Sequence, residues 1–338
     1  MKAITFDTYG GPEVLHEIEL PVPTPAAGEV LVRVRFAAVN PYDLKLRSGA
    51  MQRNVHPTFP VTPGSEFAGV VEAVGAAGPD APVAASSGGA DARQHSSAAE
   101  PSQADPASGN TRLPLAVGDP VFGWVSSGSY AEFAIARATA VLQKPADLHW
   151  ETAASIVVAG ATAIRCLALL DVKPGETLLV HGGAGAVGAA AVQLAANDGV
   201  TVIATCSTRD AEAVRELGAH PVLYGDGVFE RVRELAPSGV DAVLDTAGAG
   251  VLPASIELAG GPSRVLTIAD PAAVELGVTF SGGGASEQTP DVLQRIADLA
   301  LSGVLTTPPA RHFALADAAA AHAALAAGAF RGKTLLDA

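Results

Sequence analysis

Gly183, Gly185 and Gly188 stand at the G-x-G-x-x-G spacing, with Ala184, Ala186 and Val187 between them. At that spacing the first glycine permits a tight turn, the second lets the backbone approach a pyrophosphate, and the third lets a helix pack close to the preceding strand. The helix that follows would aim its free N–H groups and the positive end of its dipole at the phosphates. A lone match has a bland reading, an ordinary strand-turn-helix. Here an apolar, partly β-branched run at 177–180 precedes the loop, an alanine-rich run at 189–196 follows it, and a second strand-like run lies at 200–205. That context points to a dinucleotide site.

Which dinucleotide depends on the end of the second strand, where an acid accepts the 2′-hydroxyl of NAD. This strand runs into Ser207, Thr208 and Arg209, with no carboxylate before Asp210. Hydroxyls and a guanidinium suit a 2′-phosphate that an acid would repel. NADPH is therefore the expected cofactor, with Ser207 and Arg209 on the phosphate and Tyr224 on the adenine side. Ser207 has a second task open to it, capping the helix that follows. Thr246, Gly248, Ile268 and Ala269 follow later strands, and ligands of an open α/β sheet sit at strand carboxyl ends. They are expected at the nicotinamide end.

The elements that must hold these residues alternate from about residue 147 onward. Helices are expected at 151–170, 186–197, 209–217, 229–235 and 251–258, and strands at 177–180, 200–206, 221–224, 242–244, 264–268 and 278–281. That order is an α/β, doubly wound parallel sheet. The earlier chain reads as β-rich, with strands at 2–6, 15–20, 29–39, 67–74, 119–125 and 130–136. It is interrupted by a short helix from Pro41 to Ser48, whose head crowds together Asn40, Tyr42, Asp43 and Lys45. After residue 281 come a helix at 289–301, a turn, a helix at 315–326 and a last strand at 333–336. Residues from about 75 to 113 are rich in Ala, Ser, Gly, Pro and Asp and nearly free of large apolar side chains. Such a segment cannot offset its ordering entropy, so a mobile loop is expected, whether a surface insertion, a lid or a partner-docking element.

Composition narrows the function classes. The chain of 338 residues is long enough for two domains. Its formal charge of −14, with no run of Lys or Arg, speaks against nucleic acid as a partner. Two cysteines, Cys166 and Cys206, are too few for a disulfide framework or a Cys-rich zinc site. The start reads as a strand, and no stretch of about 18 uninterrupted apolar residues offers a membrane span. A cytoplasmic protein without membrane contact is expected.

Several stretches together resemble the medium-chain dehydrogenase/reductase superfamily, and within it the zinc-independent quinone oxidoreductase and enone reductase branch. They are Tyr9-Gly10-Gly11-Pro12-Glu13-Val14-Leu15, Gly28-Glu29-Val30-Leu31-Val32, Val39-Asn40-Pro41-Tyr42-Asp43, Pro63-Gly64-Ser65-Glu66-Phe67-Ala68-Gly69, Val117-Gly118-Asp119, the glycine loop with Gln193-Leu194-Ala195, Asp245-Thr246-Ala247-Gly248, and Arg331-Gly332-Lys333. Only the segment at about 78–113 has no counterpart. The resemblance implies a GroES-like β-rich catalytic domain built from residues 1–146 and 282–338, a Rossmann-type NADPH-binding domain at 147–281, and a homodimer. It sets Thr162 beneath the nicotinamide, against the alternative of a core threonine bonding its own helix backbone. Lys333 joins the cofactor-binding set.

Departures from the wider superfamily bear on the chemistry. Zinc-dependent members carry a histidine where this chain has Ser65, a ligand such as cysteine near Asn40, and a four-cysteine lobe where this chain has its cysteine-free segment. Without thiolate or imidazole ligands at those spacings neither zinc site can form. What remains is hydride delivery to an acceptor that is already electrophilic, a quinone or an α,β-unsaturated carbonyl. In enone reductases with a similar Asn-Pro-x-Asp-x-Lys stretch the lysine lies by the nicotinamide ribose. On that likeness Lys45 is assigned to ribose binding and a proton relay, Asn40 to hydrogen bonding of substrate or nicotinamide, and Tyr42 to the pocket wall and proton donation. Asp43 and Lys45 as plain helix-end polar residues, and bulk water as the proton source, are the competing readings. Two alternatives to the quinone or enone reductase stay open: a stand-alone enoyl reductase of a biosynthetic pathway, and a redox-silent NADPH-binding protein that docks a partner.

Overall fold

A computed structural model describes residues 1–52, 55–76, 114–284, 287–328 and 331–338. The expected mobile loop at 78–113 lies outside the described residues. The chain begins with β1 (Lys2–Thr5), β2 (His16–Glu19) and β3 (Glu29–Val39), then α1 (Pro41–Ser48), β4 (Glu66–Val74), β5 (Pro120–Trp124), β6 (Phe133–Arg137) and β7 (Val141–Gln143). β3 shows the period-two signature of a half-buried strand: Val32, Val34 and Phe36 are buried while Arg33 and Arg35 face water. It anchors a seven-stranded sheet through β4, β6 and a C-terminal strand.

The middle of the chain alternates: α2 (Trp150–Leu170), β8 (Thr177–His181), α3 (Ala186–Asn197), β9 (Thr201–Cys206), α4 (Ala211–Glu216), β10 (Ala219–Leu223), α5 (Val228–Leu235), β11 (Ala242–Asp245), α6 (Leu252–Leu258), β12 (Val265–Thr267) and β13 (Thr279–Phe280). Its six strands are all parallel, in the order β10-β9-β8-β11-β12-β13. The strand order reverses between β8 and β11, and that crevice is where open α/β sheets take their ligands. Because both faces of this sheet are covered by helices, its strands carry near-continuous apolar runs such as Leu178, Leu179 and Val180, all buried.

The chain closes with α7 (Pro290–Leu301), β14 (Arg311–Ala314), α8 (Ala318–Ala326) and β15 (Thr334–Asp337). β15 runs antiparallel to β3, with Leu335 opposite Ala38, and β14 pairs parallel with β15 at the sheet edge. Both chain ends thus build one sheet. The sequence reading has only a turn where β14 lies and nothing at β7. Both strands are short, and β14 is an edge with three of four side chains exposed, so neither shows the alternation that marks a strand. The helix expected at 209–217 is a single 3₁₀ turn at Thr208–Asp210 followed by α4.

By length and composition α2, with 21 residues, would be long and apolar enough to cross a membrane, although Glu151 and Arg165 interrupt its apolar run. In the fold it is an internal helix: Ala153, Ala154, Ile156, Val157, Ala163 and Cys166 are buried in the core shared with α3 and both sheets.

Candidate functional site

The glycine loop sits at the carboxyl end of β8, beside the reversal of strand order. Gly182, at φ +80, makes the left-handed turn. The spacing assigns that task to Gly183, but Gly183 serves packing, since a Cβ there would lie 2.6 Å from the Ala204 Cβ on β9. Gly188 serves packing too, with a Cβ placed 2.2 Å from the Gly182 carbonyl oxygen. Gly185 is different. It has an ordinary φ of −72 and caps α3 with no side-chain hydrogen bond, and a Cβ would meet only the Gly182 oxygen, at 3.4 Å. Gly185 and Ala186 are exposed, with Ala184 and Val187 half-buried beside them. The first N–H groups of a twelve-residue helix are left without intrahelical partners at an open loop. That donor set fits a pyrophosphate.

Next to it, two turns hang from one carboxylate. Asp245, fully buried, accepts the N–H groups of Ala247 and Gly248 at 2.9 and 3.0 Å and the Thr267 hydroxyl at 2.7 Å. Thr267 in turn accepts from the N–H groups of Ala269 and Asp270. Asp245 therefore fixes both Thr246–Gly248 and Ile268–Ala269, and the Thr246 hydroxyl donates to the His181 carbonyl at 2.7 Å. Thr162 lies half-buried on α2.

At the end of β9, the neighbour of β8, Ser207 and Arg209 converge on Asp210. The Ser207 hydroxyl donates to Asp210 at 2.6 Å, and the Arg209 guanidinium contacts both carboxylate oxygens and the Gly328 carbonyl. Burial opposes ionisation of Asp210, but the hydroxyl and the guanidinium outweigh it and hold its pKa below the ordinary value. Tyr224, largely exposed, is tied by its N–H to the Cys206 carbonyl, which puts it beside the same strand end.

The head of α1 organises a second buried cluster. Asn40 donates its amide to Glu66 at 2.9 Å and accepts the Lys333 ammonium at 2.6 Å, while Lys333 also meets Glu66 at 2.6 Å. The other Glu66 oxygen accepts the Val158 N–H inside α2 at 2.7 Å. All three side chains are buried. Asn40 and Lys333 are thus engaged with each other and with Glu66, whereas the sequence reading gives them to substrate and cofactor. Glu66 has no local signal, because its partners come from three distant parts of the chain.

A third group runs beneath α1. Asp43 accepts the Asn40 and Gly64 N–H groups and the Tyr130 hydroxyl, and Tyr130 is 3.0 Å from His322 Nε2, whose Nδ1 is 3.3 Å from an Arg47 nitrogen. Arginine can only donate, so His322 accepts at Nδ1 and donates from Nε2 to Tyr130. Burial pushes Asp43 up to about 6 and, with Arg47 adding to it, His322 down to about 3. Burial, outweighing the opposing charge of Asp245, pushes His181, on the strand before the glycine loop, down to about 4. His181 bonds Ser255 at 3.0 Å, in keeping with a packed strand-end residue.

These shifts set an acid limit on stability. A histidine whose native pKa lies below its unfolded value of about 6.5 takes up its proton only on unfolding, so stability falls as pH drops from about 6.5 towards 4. Asp43 acts oppositely, since its native pKa lies above the unfolded one and stability rises as pH drops from about 6 to 4. Two histidines outweigh one aspartate: urea unfolding at pH 5 should show a net loss of about 2 kcal/mol relative to pH 7. A His322→Gln protein should show a shallower pH slope than the wild type.

Between these clusters opens a pocket of about 380 Å³. Tyr42, Asp43, Gly64 and Ser65 form one wall, Pro60 and Val61 another, and Gln288 closes it from the segment ahead of α7. Tyr42 is 43% exposed there, and burial of its ring followed by the Asp43 charge raises its pKa. Lys45 is exposed on α1, and its side chain makes no hydrogen bond or ion pair among the described residues. Where zinc-dependent relatives carry ligands, this chain has the Ser65 hydroxyl and the Asn40 amide already bonded to the Lys333 ammonium, and the carboxylate lining the pocket, Asp43, already accepts two N–H groups and the Tyr130 hydroxyl. With no thiolate or imidazole in the lining and its one carboxylate engaged, that donor set does not fit zinc. No cluster of three metal-ligating side chains occurs among the described residues.

Residues 26–146 match the family described as alcohol dehydrogenase GroES-like domain, and residues 217–336 the one described as zinc-binding dehydrogenase. The chain is 30% identical to the quinone oxidoreductase of Sus scrofa over 324 residues, covering 90% of this chain and 86% of that protein. It is 32% identical to the chloroplastic NADPH-dependent alkenal/one oxidoreductase of Arabidopsis thaliana, over 73% of this chain and 58% of that protein. Among solved structures, a mycobacterial protein in complex with NADPH superposes with a TM-score of 0.79 at 29% identity, covering 100% of both chains.

Proposed function

The chain belongs to the medium-chain dehydrogenase/reductase superfamily, in its quinone oxidoreductase branch, and from that membership we propose that it reduces quinones or α,β-unsaturated carbonyls with NADPH and without zinc. The observation that carries this reading is the pairing of two sites: an uncapped helix start behind Gly185, suited to a pyrophosphate, and a pocket whose polar side chains are hydroxyls, an amide, a phenol and the Asp43 carboxylate, itself already accepting two N–H groups and the Tyr130 hydroxyl. NADPH, when bound, supplies the hydride. The residues of this chain bind, orient and exclude water: Gly183–Gly188 and the α3 N–H groups take the pyrophosphate, Ser207 and Arg209 the 2′-phosphate, Tyr224 the adenine side, and Thr162, Thr246, Gly248, Ile268 and Ala269 the nicotinamide end. Tyr42 walls the pocket and is the nearest phenol to an acceptor bound there, and Lys45 serves the ribose. Lys333 and Asn40 act from behind this surface by holding α1 to β15.

The proposed division is a catalytic domain of residues 1–146 and 282–338 around a nucleotide domain of residues 147–281. A homodimer has support in β13, an outer strand of the parallel sheet that leaves Phe280 46% exposed. A cytoplasmic location and service as a stand-alone enoyl reductase belong to the same reading. The test is NADPH consumption with a panel of quinones and enones. NADPH that binds but is oxidised by none of them would favour the redox-silent alternative. Arg209→Asp should raise the dissociation constant for NADPH about 10- to 100-fold, by removing a charge-assisted contact to the 2′-phosphate, and leave NADH little changed. Equal loss for both coenzymes would show the phosphate to lie elsewhere.

A further inference from the structure

Among the described residues, Gln288 is the one pocket-lining residue contributed by the segment that leaves the parallel sheet for α7. Its amide oxygen accepts from Arg137 Nη2, at the end of β6, at 3.0 Å. Arginine has only donors, so the amide cannot turn round, and the Gln288 NH₂ is the end left over. That NH₂ has no protein partner among the described residues. The residues on either side are pinned as well. Glu287 pairs with Arg165 at 2.5 Å, and Arg165 also holds the Ser281 hydroxyl at 2.8 Å. Thr289 caps α7 by accepting the Val292 N–H. Three consecutive residues are thus fixed by three independent contacts.

We propose that Gln288, with its amide orientation set by Arg137, is the donor that receives the acceptor's carbonyl oxygen. This rests on the reading of the pocket as the acceptor site. When a hydride adds to the carbon conjugated with a carbonyl, the π electron pair moves through the system onto the oxygen, which becomes anionic until a proton arrives from water. A donor already fixed in place stabilises that charge without reorganising, which is the most effective form of such help. Arg137 is a positioning residue in this scheme, because it reaches the acceptor only through Gln288.

The test uses the full-length protein with NADPH and 1,4-naphthoquinone. Gln288→Leu should lower kcat about 100-fold, the usual cost of one lost oxyanion donor, with KM for NADPH unchanged within about twofold. Gln288→Glu should lose at least as much activity. Its carboxylate would pair with Arg137, so the protein should stay folded while presenting an acceptor in place of a donor. Arg137→Leu should lower kcat several-fold in the wild-type background and not at all in Gln288→Leu, a coupling that a merely structural arginine would not show. A Gln288→Leu protein with wild-type kcat overturns the inference alone. A wild-type protein that oxidises no NADPH with this quinone or with any enone overturns the reading of the pocket, and the assignment of Gln288 with it.

Discussion

Lys333→Met should cost about 3–5 kcal/mol of folding stability, a large part of the total that a typical domain possesses. The substitution removes the ammonium that both Glu66 and Asn40 hold at 2.6 Å. Glu66 is fully buried, so its carboxylate would be left as an uncompensated charge against the α2 backbone. A methionine fills most of the space, which separates the electrostatic loss from a cavity. Urea unfolding measures it. Removing the partner as well should restore much of the loss, because a buried ion pair replaced as a unit by apolar side chains is near neutral. The Glu66→Leu, Lys333→Met double variant is therefore expected to unfold at a higher urea concentration than Lys333→Met. A single variant as stable as the wild type would mean that the pair is open to water in solution.

Gly185→Val should leave the fold intact and raise the dissociation constant for NADPH about 100-fold or more, equivalent to losing two phosphate contacts of about 1.5 kcal/mol each. Its φ of −72 suits any residue, and a Cβ meets nothing closer than 3.4 Å. Packing gives no reason for a glycine at this position, in contrast to Gly188, where a Cβ collides with the Gly182 oxygen at 2.2 Å. What a branched side chain at 185 would obstruct is the approach of a ligand to the loop and to the α3 N–H groups. Fluorescence titration with NADPH, alongside thermal unfolding, distinguishes the two effects. Unchanged affinity would place the pyrophosphate away from this loop.

The contrast between these two positions explains what could be read from the chain itself. The glycine loop announces itself through residue type and short-range spacing, and the parallel sheet through its alternation of apolar runs and helical periods. The proposal of Ser207 and Arg209 for the 2′-phosphate comes from the same kind of signal, since the end of the second strand is fixed by the loop before it. The role of Gly182 was not, because G-x-G-x-x-G leaves it outside the frame. The Asn40–Glu66–Lys333 cluster joins residues 293 positions apart, and His322 meets Tyr130 across 192. No window of sequence contains such contacts. The first exists because the last strand returns to pair with β3, and the second because α8 returns to pack beside α1. Gln288 was hidden likewise, as nothing local marks an amide whose partner lies 151 residues earlier. β14 and β7 escaped for a different reason: short edge strands carry too few residues to express a period.

The most direct test of metal-free hydride transfer to a conjugated carbon is the position of the label after reduction of 2-cyclohexenone by EDTA-treated protein with 4-deuterated NADPH. Deuterium at the β-carbon of cyclohexanone, seen by NMR, is the predicted result. Deuterium on the carbonyl carbon of an allylic alcohol, or turnover that begins only when zinc is returned, would contradict the account.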